Sequence, residues 1–151
     1  MSGKTIAKNK KAFFNFQILE TYEAGIVLQG SEIKSIRNRQ VSIDQAYVHV
    51  DGEEAWLVDA YINPYEQASA FNHDPRRRRK LLLHKKQILE LWEMVRIKGN
   101  TIVPLRVYLS SGKAKVEIAA AKGKKLHDKR KTIAERDAQR QTERDLKRSG
   151  Y

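Results

Sequence analysis

The chain has 151 residues, with 30 Lys or Arg against 18 Asp or Glu and no Cys, a formal net charge of +12 and a pI near 10.0. That length suits one domain with an appendage. The missing cysteines exclude a disulfide framework and thiolate metal sites, and the charge points to nucleic acid or an anionic surface.

No apolar run approaches the roughly 18 residues needed to span a bilayer. The basic N-terminus also lacks the apolar core of a signal peptide. A soluble cytoplasmic protein with no membrane partner is expected.

Residues 4–11 hold four lysines, so residues 1–11 read as a flexible basic arm, solvated or touching nucleic acid. Phe14, Phe16 and Ile18 alternate with polar residues, as in a half-buried strand. Gly25 then supplies a turn before a short strand at Ile26-Val27-Leu28. Ser31 reads as an N-cap, with Glu32 suited to the positive end of the helix that follows at about 31–38. Ile33 and Ile36 face inward on that helix, and Lys34, Arg37 and Arg39 outward.

Alternation at Ala46, Val48 and Val50, followed by Asp51-Gly52, predicts a hairpin whose second strand runs from about Ala55 to Ile62 and ends at Asn63-Pro64. Residues 66–71 show no period and read as loop. Asp74-Pro75 suits a helix start. Arg76 to Lys80 is a run of five cations, which is costly unless an anion meets part of it, and RNA or DNA contact by some of these residues is favoured over a purely solvated run. His73 beside Asp74 lacks a nucleophile or metal partner and reads as a turn or cap. Leu81, Leu82, Ile88, Leu91, Trp92 and Val95 fall at helical spacing and predict one long amphipathic helix ending at Gly99. A last hairpin joins 101–109 to 113–121 across Ser110-Ser111-Gly112, with Pro104 marking a bulge or an edge.

These elements fit a small antiparallel β-barrel, oligonucleotide-binding-like, with about six strands and flanking helices over residues 12–121. A two-layer α+β sandwich is the alternative architecture. From Lys122 to Arg130 the chain turns strongly basic, and residues 122–148 carry eleven Lys or Arg against five Asp or Glu. Residues 122–151 have too few apolar side chains to build a core and read as a tail disordered alone. The tail is nonetheless written for helix: Thr132-Ile133-Ala134-Glu135 fits a capping box, and Arg136, Arg140, Arg144 and Arg148 repeat every four residues. Such a helix is marginal in water by itself, and phosphates would neutralise its arginine stripe.

Four blocks then stand together: Gly25 to Arg37, Asn72-His73-Asp74-Pro75, Arg79 to His84, and Lys122 to Arg130. In order and spacing they resemble the signature of the SmpB family of SsrA-binding proteins. The resemblance implies a non-enzymatic RNA-binding adaptor that needs no cofactor, metal or small-molecule substrate. It would hold the tRNA-like domain of transfer-messenger RNA and bring it to stalled 70S ribosomes for trans-translation. The C-terminal tail would enter the empty mRNA channel near the decoding centre of the small-subunit rRNA and become helical there.

By position, Glu32, Lys34, Arg37, Asn72, His73, Arg77, Arg79, Lys80, Lys115, Lys122, Lys124 and Lys125 become candidates for RNA contact. His127, Asp128, Lys129 and Arg130, with Arg136, Arg140 and Arg144, become candidates for the decoding-site tail. The run Arg77-Arg78-Arg79 departs from the more usual Arg-Thr-Arg of the family. From the residues alone, a small basic ribosomal or ribosome-assembly protein is the alternative. A nuclease would need clustered acids or paired histidines, and the acids are scattered.

Overall fold

Two eleven-residue strands near the end of the body carry a large share of the core. The computed structural model describes residues 4–65, 72–124 and 133–142, and in it β8 (Asn100–Ser110) and β9 (Lys113–Gly123) form one long hairpin. Ser111 and Gly112, at φ 51° and 77°, make the turn. Positive φ at both central residues suits the right-handed twist of the strands it joins. Ala114, Val116 and Ile118 of β9 point inward, while Lys113, Lys115 and Glu117 point away.

The remaining elements, in chain order, are β1 (Lys4–Lys8), α1 (Lys10–Asn15), β2 (Phe16–Ile26), α2 (Gly30–Arg37), β3 (Val41–Ser42), β4 (Tyr47–Val50), β5 (Ala55–Val58), β6 (Tyr61–Ile62), β7 (Arg79–Leu82) and α3 (Lys85–Val95). A last helix, α4, occupies 133–142 with every residue exposed. Seven strands form one antiparallel sheet in the order β1-β8-β9-β2-β7-β5-β4, and β3 pairs with β6 apart from it. The sheet curves enough for Val48 and Val50 of β4 to share a core with Ile102 and Val107 of β8. Ile36 of α2 and Ile88 and Leu91 of α3 complete that core. A smaller cluster on the other face packs Ala12 of α1 against Val103, Leu105, Ala119 and Ala121.

The expected class, mainly β and antiparallel with flanking helices, is the observed one. Among the described residues the ladder runs from edge β1 to edge β4 without hydrogen bonds closing it. The described residues form nine strands rather than about six. The stretch expected as one strand from Ala55 to Ile62 breaks at Asp59, whose φ is 62°, into β5 and β6. The bulge expected at Pro104 is present between Pro104 and Arg106.

Several local expectations are corrected. Residues 4–8 form a strand rather than part of a flexible arm, because Ile6 and Ala7 pack against the core. Asn9 locks that strand: its backbone N–H donates to the Leu105 carbonyl at 2.7 Å, and its side chain donates to the Pro104 carbonyl at 3.0 Å. Its Oδ1 accepts from the Ala12 N–H at 3.1 Å and so caps α1. Phe14 belongs to α1, and Gly25 lies inside β2 rather than at a turn. A Cβ on Gly25 would come within 3.2 Å of the Leu82 Cβ, so this glycine permits a close approach of β7.

Leu81 and Leu82 lie in β7, and the helix begins only at Lys85. Asp74-Pro75 opens a turn, not a helix, with Asp74 Oδ1 accepting from the Arg76 N–H at 3.0 Å. Gln29, not Ser31, is the cap of α2.

Candidate nucleic-acid interface

Residue types that usually seek water meet in the interior where α2 abuts the arginine run. Glu32 and Arg79 are both fully buried. Arg79 Nε donates to Glu32 Oε2, while Arg77 Nε donates to both carboxylate oxygens at 3.1 and 3.2 Å. The Gln29 N–H adds a 2.8 Å bond to Oε1. Burial alone would raise the Glu32 pKa, but the bonds from Arg77, Gln29 and Arg79 outweigh it and hold the carboxyl below its ordinary value. Arg79 spends its remaining donors on the Ala60 carbonyl at 2.8 Å and the Pro75 carbonyl at 3.1 Å. No buried side-chain polar atom among the described residues lacks a hydrogen-bond partner, so the network is complete as a buried ion cluster must be.

Ser31 and His73 extend it. The His73 Nδ1 lies 2.8 Å from Ser31 Oγ, and Nε2 lies 2.9 Å from the Ile62 carbonyl. A carbonyl can only accept, so Nε2 carries a proton and donates to it, while Nδ1 shares its hydrogen bond with the serine hydroxyl. Asn72 clasps Tyr65, donating to its carbonyl at 2.8 Å and accepting from its N–H at 3.1 Å. The 72–79 segment is thereby bolted to α2, β5 and β6.

Of the RNA-contact candidates, Glu32, His73 and Arg79 are therefore interior residues. Their bonding demand is met inside the protein, and their surfaces are closed to a ligand. Asn72 is half-buried and serves the same scaffold. Arg77 is mostly buried, with 26% of its side chain exposed.

Other candidates do reach solvent. Lys34 and Arg37 lie exposed on α2, with Lys34 Nζ 5.4 Å from the Tyr65 ring centroid. Lys80 and Lys115 both line an open groove of about 970 Å³. Its walls come from β2 (Glu23, Gly25), β7 with the start of α3 (Lys80 to Lys85), β9 (Lys115) and the β4–β5 loop. Leu82 lies in it 54% exposed, because Gly25 beside it has no side chain to cover it. The groove carries acids as well: Lys80 pairs with Glu54 at 3.6 Å and Lys115 with Glu23 at 4.0 Å. These exposed pairs contribute little to stability, and each lysine can turn to a phosphate at small cost.

Glu23, Leu82 and Lys85 were not among the sequence candidates. Three consecutive leucines carry no alternation of their own, so nothing local marked Leu82 as the outward one.

At the opposite end of β9, Lys122 is exposed, and Lys124 Nζ donates to the Phe13 carbonyl at 3.2 Å. Arg136 and Arg140 lie on α4, and the Arg136 guanidinium sits 5.7 Å from the Phe14 ring centroid. Lys125, His127, Asp128, Lys129, Arg130 and Arg144 lie outside the described residues. Among the described residues no three His, Asp or Glu gather as a metal site would require. No helix there is long and apolar enough to cross a membrane.

The family model described as SmpB protein matches residues 6–148. An SsrA-binding protein of a Sulfurihydrogenibium species is 55% identical over 97% of this chain and 97% of that protein. One from Rhizobium johnstonii is 50% identical over 99% of this chain and all of that protein. A chain in a solved structure presented as "tmRNA-SmpB: a journey to the center of the bacterial ribosome" superposes with a TM-score of 0.67. It is 47% identical, and the match covers 79% of this chain and 84% of that one.

Proposed function

The chain belongs to the SmpB family, and on that premise we propose that it is an RNA-binding adaptor for transfer-messenger RNA in trans-translation. Its body holds the tRNA-like domain of that RNA, and its tail reaches the vacant mRNA channel of a stalled ribosome in the cytoplasm. No chemical step on a substrate is assigned to it.

The observation that carries this reading is the lysine-lined groove on the outer sheet face, where Lys80 and Lys115 flank the exposed Leu82. A folded RNA offers backbone phosphates, 2′-hydroxyls and a few exposed bases rather than readable groove edges. Mobile cations beside an apolar step suit that ligand. Lys34 and Arg37 on α2 and Lys122 and Lys124 at the end of β9 supply further phosphate contacts.

The buried cluster of Glu32, Arg77 and Arg79 acts at one remove, holding β7 and the preceding turn so that Lys80 faces the groove. On α4 and beyond, Arg136, Arg140 and Arg144 with the hinge residues His127 to Arg130 serve the ribosomal RNA. The test is retention of RNA from a cell extract on immobilised protein, followed by sequencing. Transfer-messenger RNA should dominate the bound fraction, and bulk ribosomal RNA without it would overturn the reading in favour of a ribosomal protein.

A further inference from the structure

The sheet face bearing Lys115 and Leu82 continues past the groove. Lys80 of β7 pairs with Trp56 of β5, and Trp56 pairs with His49 of β4. Alternation puts these three side chains opposite the buried Leu57, Val48 and Val50. What covers the half-buried Trp56 is a guanidinium: Arg78, itself exposed, lies 5.5 Å from the indole ring. Arg76, two residues earlier and also exposed, lies 5.3 Å from the ring of Tyr61, which belongs to β6 of the smaller two-stranded sheet. An outward tryptophan has an ordinary use as a cross-strand partner for His49. That use does not account for two exposed guanidiniums set against two rings, one of which, Trp56, is the strand neighbour of the groove's Lys80.

We propose that Trp56, Tyr61, Arg76 and Arg78 form a stacking platform for unpaired nucleobases, which extends the RNA track from Lys115 across to β4. The inference rests on the RNA-binding reading above. Neighbouring strands lie about 4.8 Å apart, so the four steps from β9 to β4 span about 19 Å, room for a short single strand. A base can replace the guanidinium on the indole or stack on its outer side, since rings and guanidinium planes both accept bases. The arginines also offer phosphates a bidentate partner. Glu54, paired with Lys80, is the acid a strand must pass. An acidic peptide would use the same charges but has no use for the rings, and so the rings favour a nucleic acid.

The chain has two tryptophans, so full-length protein carrying Trp92→Phe reports on Trp56 alone. Hexaadenylate should quench its emission, and hexaglutamate should not. Labelled hexaadenylate should bind about tenfold more weakly to Trp56→Leu. The Arg76→Gln, Arg78→Gln double variant changes two exposed residues and should show a loss of the same order. It carries the test if Trp56→Leu does not fold. Unchanged hexaadenylate affinity in whichever of these variants folds overturns the proposal, as does equal quenching by hexaglutamate. If the tRNA-like domain binds wild-type protein while hexaadenylate gives no quenching, only the platform fails. If neither RNA binds, the RNA-binding reading fails with it.

Discussion

A carboxylate in the first turn of a helix has a ready explanation in the helix dipole, and Glu32 satisfies it while doing something larger. Its two oxygens collect donors from Arg77, Arg79 and the Gln29 backbone with the carboxylate fully buried. Glu32→Gln leaves Arg79 buried with no counter-charge, and removing one member of a buried pair costs about 3–5 kcal/mol. Urea denaturation of the variant should show that loss. A shift near zero would mean that water reaches the cluster.

The pH dependence has a definite sign. Because the folded-state pKa of Glu32 lies below its ordinary value of 4.5, its contribution is complete above that pH. It disappears as pH falls through the depressed value. The stability of Glu32→Gln should therefore fall less steeply with decreasing pH below 4.5 than that of the wild type, measured by urea titration at a series of pH values. Sequence showed a glutamate near a helix start and arginines some 45 residues later. It carried no sign that the two meet, because an ion pair across that separation is set by the path of the chain and not by any local period.

Elements were legible where one period ruled and illegible where two competed. The β8–β9 hairpin was readable because Ser111-Gly112 suits its turn and Ala114, Val116 and Ile118 alternate with polar residues. The stretch from Leu81 to Val95 was misread because the apolar residues of β7 happen to continue the spacing of α3. β1 was missed because its one period, two half-buried residues among lysines, is too short to count. Its anchor, Asn9, reaches carbonyls far along the chain.

Two element-level predictions follow from particular contacts. Ile118 is fully buried in β9, so Ile118→Ala should destabilise by about 2–5 kcal/mol, measured by urea titration. Gly99 adopts φ +90° with open space around it, so Gly99→Ala meets backbone strain but no clash. It should lower stability by about 1 kcal/mol while leaving RNA affinity unchanged.

Across the whole molecule the charge divides into a folded surface and a tail. A phosphate contact made by one lysine supports binding without regard to sequence and contributes about one unit to the salt slope. Lys115→Ala should accordingly weaken binding of the tRNA-like domain and reduce the slope of log K against log salt by about one. An unchanged slope would remove Lys115 from the interface.

The body's class was legible because strand periods and hairpin turns recur along most of its length. The tail's composition was legible too: the capping box and helix formers lie where the helix at 133–142 is found, although the segment was expected to be helical only when bound. The proposed interface was half visible: Lys80 and Lys115 stood out as cations, but Leu82 and the Trp56 face emerge only once the strands are laid side by side. The account's central claim is that binding and rescue reside in separate parts of one chain. The most direct measurement is a truncation after Lys124, assayed for binding of the tRNA-like domain and for tagging on stalled ribosomes. Binding should remain within a few-fold of wild type while tagging is abolished; tagging that survives the truncation would contradict the account.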